Sequence, residues 1–421
     1  MRKSPLLRGR NGVSDRVARY RAAIGGPGSV GIEAARASVS RRRVRVGCQV
    51  MPITPVWSLR ANVILARLLG ADDIWLGDHA KSMFPQAAWR PALSPMARFI
   101  PSLDAYLDPT VTIARTVGRF GPRMGTAVTD PLRRTPADLA RVWMSLHHLS
   151  RGRVVLGIGS GERENTEPIG LVLDAPVGRL EDVLVAIRAA WASSGEPLTH
   201  SGKFHQWNDA IFALPKRRGT TPPIWVAAQG PRACRVAGQH GDGWIFLVTS
   251  GFDAWLASAK QVVAGAEAAG RNPYSLVRSV IVNPLLARNQ RSAEQMARQP
   301  MVQAAAMMYP GKVWAAAGAT HPLGADFAGV SELDPVELEA ERLAARGKQI
   351  TPELIRKLFL LGTAEEVLSA LRPYVDHGVN HFIIYSYAYA LKPSVAVGYL
   401  VEQRRLMRLL KKLPTAAIAT S

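Results

Sequence analysis

Short apolar runs rich in β-branched residues alternate along this chain with longer stretches in which apolar residues recur every three or four positions. The first pattern predicts buried β-strands, and the second predicts amphipathic helices. The predicted strands are residues 44–50, 73–79, 123–129, 153–158, 223–228, 243–248, 279–286 and 381–386. The predicted helices are residues 56–69, 107–119, 136–148, 177–193, 232–239, 253–269, 363–376 and 393–411.

Repeated strand–helix units predict an α/β fold with parallel strands, and eight strands fit a closed (β/α)8 TIM barrel better than an open sheet. In such a barrel the functional site lies at the carboxyl ends of the strands. Two connections are unusually long, namely residues 80–105 and residues 290–360. The second is predicted to be a helical insertion between strands seven and eight. Long connections on the catalytic face usually shape a substrate pocket or form a lid.

The 421 residues carry a net charge of +21 and are 48% hydrophobic, which is sufficient for a large core. Residues 1–43 are rich in Arg and are predicted to be a disordered arm, followed by a barrel over residues 44–413 and a tail at 414–421. The positive charge makes nucleic acid, a membrane surface or a polyanionic ligand plausible partners. Without a zinc finger or an RNA-recognition signature, specific nucleic-acid binding is not expected, and a polyanionic cofactor explains the charge as well.

Cys48 and Cys234 are far apart in sequence and are predicted to be buried and free. The sequence contains neither a long uncharged apolar run nor a signal-peptide pattern, so a cytoplasmic location is expected. The basic amphipathic stretch at residues 400–413 could contact an anionic membrane peripherally or close the barrel, and closing the barrel is favoured.

A glycine-rich turn with a carboxylate follows predicted strand four, where residues 155–168 read VLGIGSGERENTEP. Its alternate glycines remove side chains from one backbone face, so a flat ring or a phosphate could approach closely. Glu162 follows directly and could exchange a proton with such a ligand. The same glycine spacing occurs in nucleotide and methyl-donor sites. In the charge run beyond it, Glu164 is interpreted as part of a solvated face.

Three other strand ends carry candidate residues. His79 can exchange a proton near neutral pH, and Asp78 could orient it or stiffen the turn. Residues 126–131 suit either contact with a planar ligand or an ordinary strand end. Residues 227–232 read AAQGPR before a helix, which is compatible with a phosphate cradle or with a purely structural helix start. No spacing typical of a metal site, a nucleophile elbow or a Walker loop is found, so no metal is expected.

The motifs WLGDH, GTAVTDP, GRVVLGIGSGERENTEP, WVAAQGPR and GDGWI occur in this order over residues 75–245. This ordered series resembles the luciferase-like barrel superfamily, in the branch that uses the deazaflavin coenzyme F420. Within that branch, GERENTEPIG and HPLGADFAGV are similar to phthiodiolone and phenolphthiodiolone dimycocerosates ketoreductases. The likeness extends from about Val44 to Leu413.

The resemblance implies that F420 binds across the carboxyl-terminal face of the barrel. It implies that His79 acts in proton transfer at the substrate oxygen and that Glu162 is the acid near N1 of the deazaflavin. It also implies a non-prolyl cis peptide at Ala127-Val128, against the ring. The remaining cofactor-binding positions that it implies are Asp78, Gly159, Ser160, Gly161, Asn165, Ala228, Gln229, Gly230, Pro231 and Arg232.

The segment after His79, AKSMFPQAAW, departs from the F420-dependent sugar-phosphate dehydrogenases of the branch, which have a differently spaced aromatic residue and phosphate-binding cations there. This favours a hydrophobic lipid ketone over a phosphorylated sugar. We expect a homodimeric oxidoreductase that transfers a hydride from reduced F420 to a ketone. The alternatives are an FMN-dependent monooxygenase on the same barrel, a methyl-donor transferase built on the glycine turn, and a basic binding protein with an inactive barrel.

Overall fold

The computed structural model describes residues 43–414 except residues 83, 85–88, 118–120, 250 and 330–349. The predicted arm up to residue 42, the tail from residue 415, much of the AKSMFPQAAW segment and part of the 290–360 insertion lie outside the described residues. At the two ends of the described chain, Arg43 and Pro414 form an isolated antiparallel bridge.

Eight parallel strands close into a barrel, as the alternating pattern predicts. In the described part of the chain the strands are β1 (Arg45–Val50), β2 (Asp73–Leu76), β3 (Arg123–Thr126), β4 (Val154–Ile158), β5 (Leu198–Ser201), β6 (Gln206–Ala210), β7 (Ile224–Ala227), β8 (Gly243–Leu247), β9 (Val277–Val282), β10 (Leu285–Leu286), β11 (Leu361–Gly362) and β12 (His381–Tyr385). The barrel order is β1-β12-β9-β8-β7-β4-β3-β2. The TIM-barrel prediction is therefore confirmed.

Helices surround the barrel and connect its strands. The α-helices among the described residues are α1 (Val56–Leu69), α2 (Pro109–Thr116), α3 (Pro136–Leu149), α4 (Arg163–Thr166), α5 (Pro176–Ala192), α6 (Pro231–His240), α7 (Gly251–Ala268), α8 (Gln290–Ala297), α9 (Pro300–Ala306), α10 (Gly311–Ala316), α11 (Pro352–Leu358), α12 (Ala364–Asp376) and α13 (Pro393–Leu410). Several begin where a side chain satisfies the first free N–H groups. Thr135 accepts the Asp138 N–H before α3, and Thr363 forms a capping box with Glu366 before α12.

The strand prediction missed one pair of strands and is wrong about the end of another strand. β5 and β6 form an antiparallel hairpin outside the barrel, over residues that carry no buried-strand signal because most of their side chains stay partly exposed. The predicted strand 279–286 leaves the barrel at Val282. Pro284 lacks the N–H that a ladder needs, and β10 then pairs with β11 in a separate two-stranded sheet.

The interior of the barrel is filled by a cluster of buried side chains. Trp75 and Trp225 pack with ring centroids 4.8 Å apart, and the rest of this buried cluster is Ala127, Val155, Ile245 and Ile383. Beneath them the buried Asp73 carboxylate accepts hydrogen bonds from Trp75 Nε1 at 2.7 Å and His381 Nε2 at 3.0 Å. The space that remains open is at the carboxyl ends.

Helix α13 closes the barrel beside β1 and α12. Its buried face includes Tyr399, Leu406 and Met407, whereas its arginines at 404, 405 and 408 are exposed. Cys48 and Cys234 are both buried and free, as predicted. None of the helices in the described part of the chain is long and apolar enough to cross a membrane.

Candidate active site

A cavity of about 560 Å³ opens at the carboxyl ends of the barrel strands. Every residue that the sequence assigned to catalysis or cofactor binding lines it. They are Asp78, His79, Ala127, Val128, Gly159, Ser160, Gly161, Glu162, Asn165, Ala228, Gln229, Gly230, Pro231 and Arg232. Strand ends far apart in sequence are neighbours at one rim of the barrel, so the motifs converge. Their individual roles stay predictions.

Asn165 determines which ring nitrogen of His79 carries the proton. Oδ1 of Asn165 accepts the Ala80 N–H at 2.8 Å, so Nδ2 is the atom that lies 3.1 Å from Nδ1 of His79. Because an amide nitrogen only donates, Nδ1 must accept, and the neutral imidazole carries its proton on Nε2. Burial lowers the pKa of His79, although the charges of Glu162 and Asp78 oppose this shift. His79 is therefore a neutral donor at neutral pH.

Two carboxyl groups lie beside this pair. Nδ1 of His79 is 3.9 Å from Oε2 of Glu162 and 3.9 Å from Oε1 of Glu164. The Glu164 side chain is 1% exposed and the Glu162 side chain 44%. Burial, together with the charge and hydrogen bond of Glu162, raises the pKa of Glu164 to about 10. At neutral pH Glu164 therefore holds a proton and shares a hydrogen bond with the Glu162 carboxylate.

The interpretation of Glu164 as part of a solvated face is wrong. The short helix α4 turns Glu164, Asn165 and Thr166 into the protein, while Arg163 and Glu167 remain exposed and pair at 2.8 Å. Nothing in the charge run distinguishes Glu164 from Glu167, because a single helical turn is too short to show a periodic pattern.

Asp78 forms ion pairs with two arginines that the sequence did not single out. Its carboxylate lies 3.2 Å from Nη1 of Arg133 and 3.5 Å from Nε of Arg134. Arg133 also pairs with Asp130 and donates from Nη2 to the Asp78 carbonyl at 2.6 Å. Asp78 thus stiffens the turn before His79, and Arg133 adds a cation to the cavity wall. The only sequence signal was the adjacent pair of arginines after strand three.

The glycines at positions 157, 159 and 161 are needed for different structural reasons. A Cβ at Gly157 would lie 1.8 Å from the Thr126 carbonyl oxygen, so the neighbouring strand β3 requires this glycine, and the residue does not line the cavity. Gly159 and Gly161 do line it, and Gly161 has a left-handed φ of +94°. The interpretation that all three glycines bare one ligand-facing surface is therefore wrong for Gly157.

The wall beside the glycine turn is the end of β3, where the Gly159 N–H donates to the Thr129 carbonyl oxygen at 2.8 Å. The peptide bond between Ala127 and Val128 is cis, the geometry that the resemblance implies. Nε2 of Gln49 donates to the Ala127 carbonyl oxygen at 3.1 Å.

The loop after β7 presents backbone N–H groups at a helix start. Gly230 is the N-cap of α6, and the first hydrogen bond of the helix runs from Cys234 N to Gly230 O, so the N–H groups of Arg232 and Ala233 precede it. A Cβ at Gly230 would meet nothing within 4 Å. The Arg232 side chain is 62% exposed and lies 3.7 Å from Glu181. Free backbone N–H groups at a helix start, with a cation beside them, are the groups that bind a phosphate.

The remaining wall of the cavity is largely aromatic and apolar. Phe84 belongs to the long connection after β2, and Met308 and Tyr309 belong to the connection between β9 and β12. Tyr385 is the last residue of β12, and Tyr387 lies two residues beyond it. The prediction that both long connections shape the pocket agrees with this placement.

Residues 48–381 match the family described as luciferase-like monooxygenase. A phthiodiolone/phenolphthiodiolone dimycocerosates ketoreductase from Mycobacterium kansasii is 35% identical over 364 residues, which cover 85% of this chain and 99% of that protein. An F420-dependent secondary alcohol dehydrogenase, solved with an F420-acetone adduct, superposes with a TM-score of 0.66 at 16% identity and covers 87% of this chain and 99% of its own.

A type II Baeyer-Villiger monooxygenase from Pseudomonas putida, solved with FMN, superposes with a TM-score of 0.59 at 16% identity, over 90% of this chain and 100% of its own. At these identities the two solved structures show a shared barrel. The family match and the curated relative each cover most of the chain. They confirm the family and the enzyme class expected from the ordered motifs. The chain is an oxidoreductase and belongs to the luciferase-like monooxygenase family.

Proposed function

We propose that this protein is an F420-dependent ketoreductase acting on a hydrophobic ketone. The observation that carries the proposal is the Asn165–His79 pair, which holds a neutral imidazole with its proton on Nε2 in a residue that lines the cavity. A neutral donor suits a carbonyl oxygen, which becomes negatively charged during reduction. Two similarities support the same chemistry. The curated ketoreductase is 35% identical to this chain, and the F420-dependent secondary alcohol dehydrogenase shares its barrel.

The residues present fit the coenzyme. Gly159, Gly161 and the Ala127-Val128 edge line the cavity together, and a Cβ at Gly230 would enter open space in front of the loop. In this proposal, residues 228–232 hold the phosphate through backbone N–H groups and the Arg232 cation. When bound, reduced F420 supplies the hydride.

The chain itself supplies the proton. His79 donates its Nε2 proton to the substrate oxygen as that oxygen becomes an alkoxide, which yields the alcohol. The proton held between Glu162 and Glu164, 3.9 Å from Nδ1 of His79, then replaces it at Nδ1. The proton on Nδ1 then faces the Asn165 amide nitrogen, which cannot accept it, so it returns to the carboxyl pair as Nε2 takes up a proton from solvent and the Nε2–H tautomer is restored.

The apolar wall favours a hydrophobic substrate. Phe84, Met308 and Tyr309 cover the cavity opposite the glycine turn and would exclude water from the reacting carbonyl. Arg133 lines the same cavity, but its guanidinium is occupied by Asp78 and Asp130. A lipid ketone, as in the name of the curated relative, fits this wall better than a charged substrate.

A fluorescence titration with F420 beside FMN, followed by oxidation of reduced F420 by methyl ketones, tests the proposal. We expect F420 to bind and FMN not to bind. His79→Ala should retain F420 binding and lose about 10²–10⁴-fold in kcat. Binding of FMN without F420 would instead favour the monooxygenase alternative, which the fold shared with the FMN-containing enzyme keeps open.

A further inference from the structure

A second cavity, of about 430 Å³, lies on the side of the barrel where β1 and β12 meet. Helices α1 and α13 form its sides, and the 3-10 helix Pro95–Arg98 borders it. Its wall is mostly aliphatic and aromatic, including Ile53, Leu65, Met96 and Leu391. An apolar cavity of this size is suited to an apolar ligand.

Most of the polar side chains on this wall, those of Gln49, Ser58, Ser386 and Gln403, have partners inside the protein. Ser386 Oγ donates to Gln403 at 2.9 Å, and Gln403 Nε2 lies 3.6 Å from the Cys48 sulfur. Ser58 Oγ donates to the Pro55 carbonyl at 2.8 Å. With these groups engaged, the surface offered to a ligand is apolar apart from the Asn62 side chain.

The second cavity adjoins the active-site cavity. Gln49 and Tyr385 line both, and they stand at the carboxyl ends of the paired strands β1 and β12. Gln49 is anchored to the active-site side by its hydrogen bond to the Ala127 carbonyl. These two residues therefore mark the place where the two spaces meet.

The outer side of the second cavity reaches solvent through large apolar side chains. Trp57, Phe99 and Val397 line it and are 52%, 59% and 61% exposed. Clustered exposed apolar residues around a cavity mark a binding site more often than an ordinary surface.

We propose that the second cavity holds a long alkyl or acyl chain of the ketone substrate. The carbonyl lies beside His79, the chain passes Gln49 and Tyr385, and its far end leaves between Trp57, Phe99 and Val397. This assignment rests on the proposed function, and it extends that function by giving the hydrophobic chain a compartment separate from the coenzyme.

The test compares kcat/KM for 2-butanone and 2-tridecanone with reduced F420. Each methylene that becomes buried should raise kcat/KM by roughly fourfold until the compartment is full. Ala61→Phe on α1 and Ala396→Phe on α13 each place a ring in the second cavity from opposite sides. In both variants we expect the ratio of kcat/KM for the long over the short ketone to fall about tenfold or more.

Val401→Phe is the matched control, since Val401 is exposed on α13 and lies outside the cavity lining. It should keep the wild-type ratio. A wild-type ratio in both cavity variants would overturn the inference. A second outcome would also overturn it: the protein is a dimer in solution, Val397→Asp disrupts the dimer, and the ratio of kcat/KM for the two ketones does not change. The exposed apolar residues around the cavity would then be a contact between subunits.

Thermal unfolding with 2-tridecanone separates this inference from the proposed function, because it requires neither coenzyme nor turnover. A rise in Tm in wild type and Val401→Phe that is lost in Ala61→Phe and Ala396→Phe supports the chain site even if no ketone is reduced. No rise in wild type, or the same rise in all four proteins, overturns it.

Discussion

Asn165 sets the tautomer of His79, because its Nδ2 lies 3.1 Å from Nδ1 of the imidazole and can only donate. An amide in this position leaves the ring neutral and keeps its proton on Nε2. A carboxylate in the same position would accept from Nδ1 and attract a second proton to the ring. The chemistry of this site therefore depends on an uncharged neighbour, although two acids are close by.

Asn165→Asp should reverse the tautomer. The aspartate can still accept the Ala80 N–H, so the local geometry is kept, but its second oxygen accepts from Nδ1 of His79. The new negative charge raises the pKa of His79, and loss of the neutral Nε2 donor lowers kcat by about 10²-fold. Nitrogen NMR of the ring reports the tautomer, and His79→Gln identifies its signals. An unprotonated Nδ1 in the variant would contradict the assignment.

Glu164→Gln should stabilise the protein at neutral and alkaline pH. The folded-state pKa of Glu164 is about 10, above the ordinary carboxyl value of 4.5, so the folded state keeps a proton that the unfolded state releases. Stability therefore falls as pH rises from that ordinary value toward 10. Because glutamine is neutral in both the folded and the unfolded state, the stability of the variant lacks this dependence on pH. The difference in Tm between variant and wild type should grow from about pH 5 to pH 8.

Glu167→Gln is the control for that comparison, because Glu167 is exposed and pairs only on the surface with Arg163. It should show no comparable growth in Tm difference with pH. A flat difference for Glu164→Gln would mean that Glu164 is ionised in the folded protein.

The rate of ketone reduction should have two pH limits. On the acid side kcat falls when His79 gains a second proton, and this occurs below the usual histidine range because burial lowers the pKa of His79. On the alkaline side kcat falls as pH approaches about 10, where Glu164 loses the proton that replenishes the imidazole. Glu164→Gln should reduce kcat and remove the alkaline limit. An alkaline limit unchanged in that variant would assign it to another group.

The barrel and the convergence of its motifs could be predicted from the sequence for a physical reason. Each buried parallel strand is a short apolar run, and parallel strands of one barrel end at one rim, so strand-end motifs such as those of His79 and Glu162 must lie near one another. The hairpin of β5 and β6 gave no such signal because its side chains are only partly buried.

The electrostatics of the site could not be predicted in the same way. Glu164 and Arg133 occur in short charged segments whose burial depends on how one turn or one loop packs against a distant strand. The strand-end motifs supplied His79 and Glu162, and the family resemblance added Asn165, but the proton on Glu164 follows from three-dimensional proximity to Glu162 and from burial. The pattern of hydrophobic residues predicts neither the proximity of Glu164 to Glu162 nor the burial of Glu164.

Two glycine substitutions should separate folding from coenzyme binding. Gly157→Ala places a Cβ 1.8 Å from the Thr126 carbonyl, and because that oxygen belongs to β3, we expect a loss of about 1–3 kcal/mol or more in the free energy of unfolding.

Gly230 has an ordinary φ of −73° and open space around its Cβ position, so Gly230→Ala should change stability by less than about 0.5 kcal/mol. It should weaken F420 binding, because the methyl group enters the proposed phosphate cradle. Denaturant unfolding and F420 titration of both variants provide the measurements, and wild-type F420 affinity in Gly230→Ala would place the phosphate elsewhere.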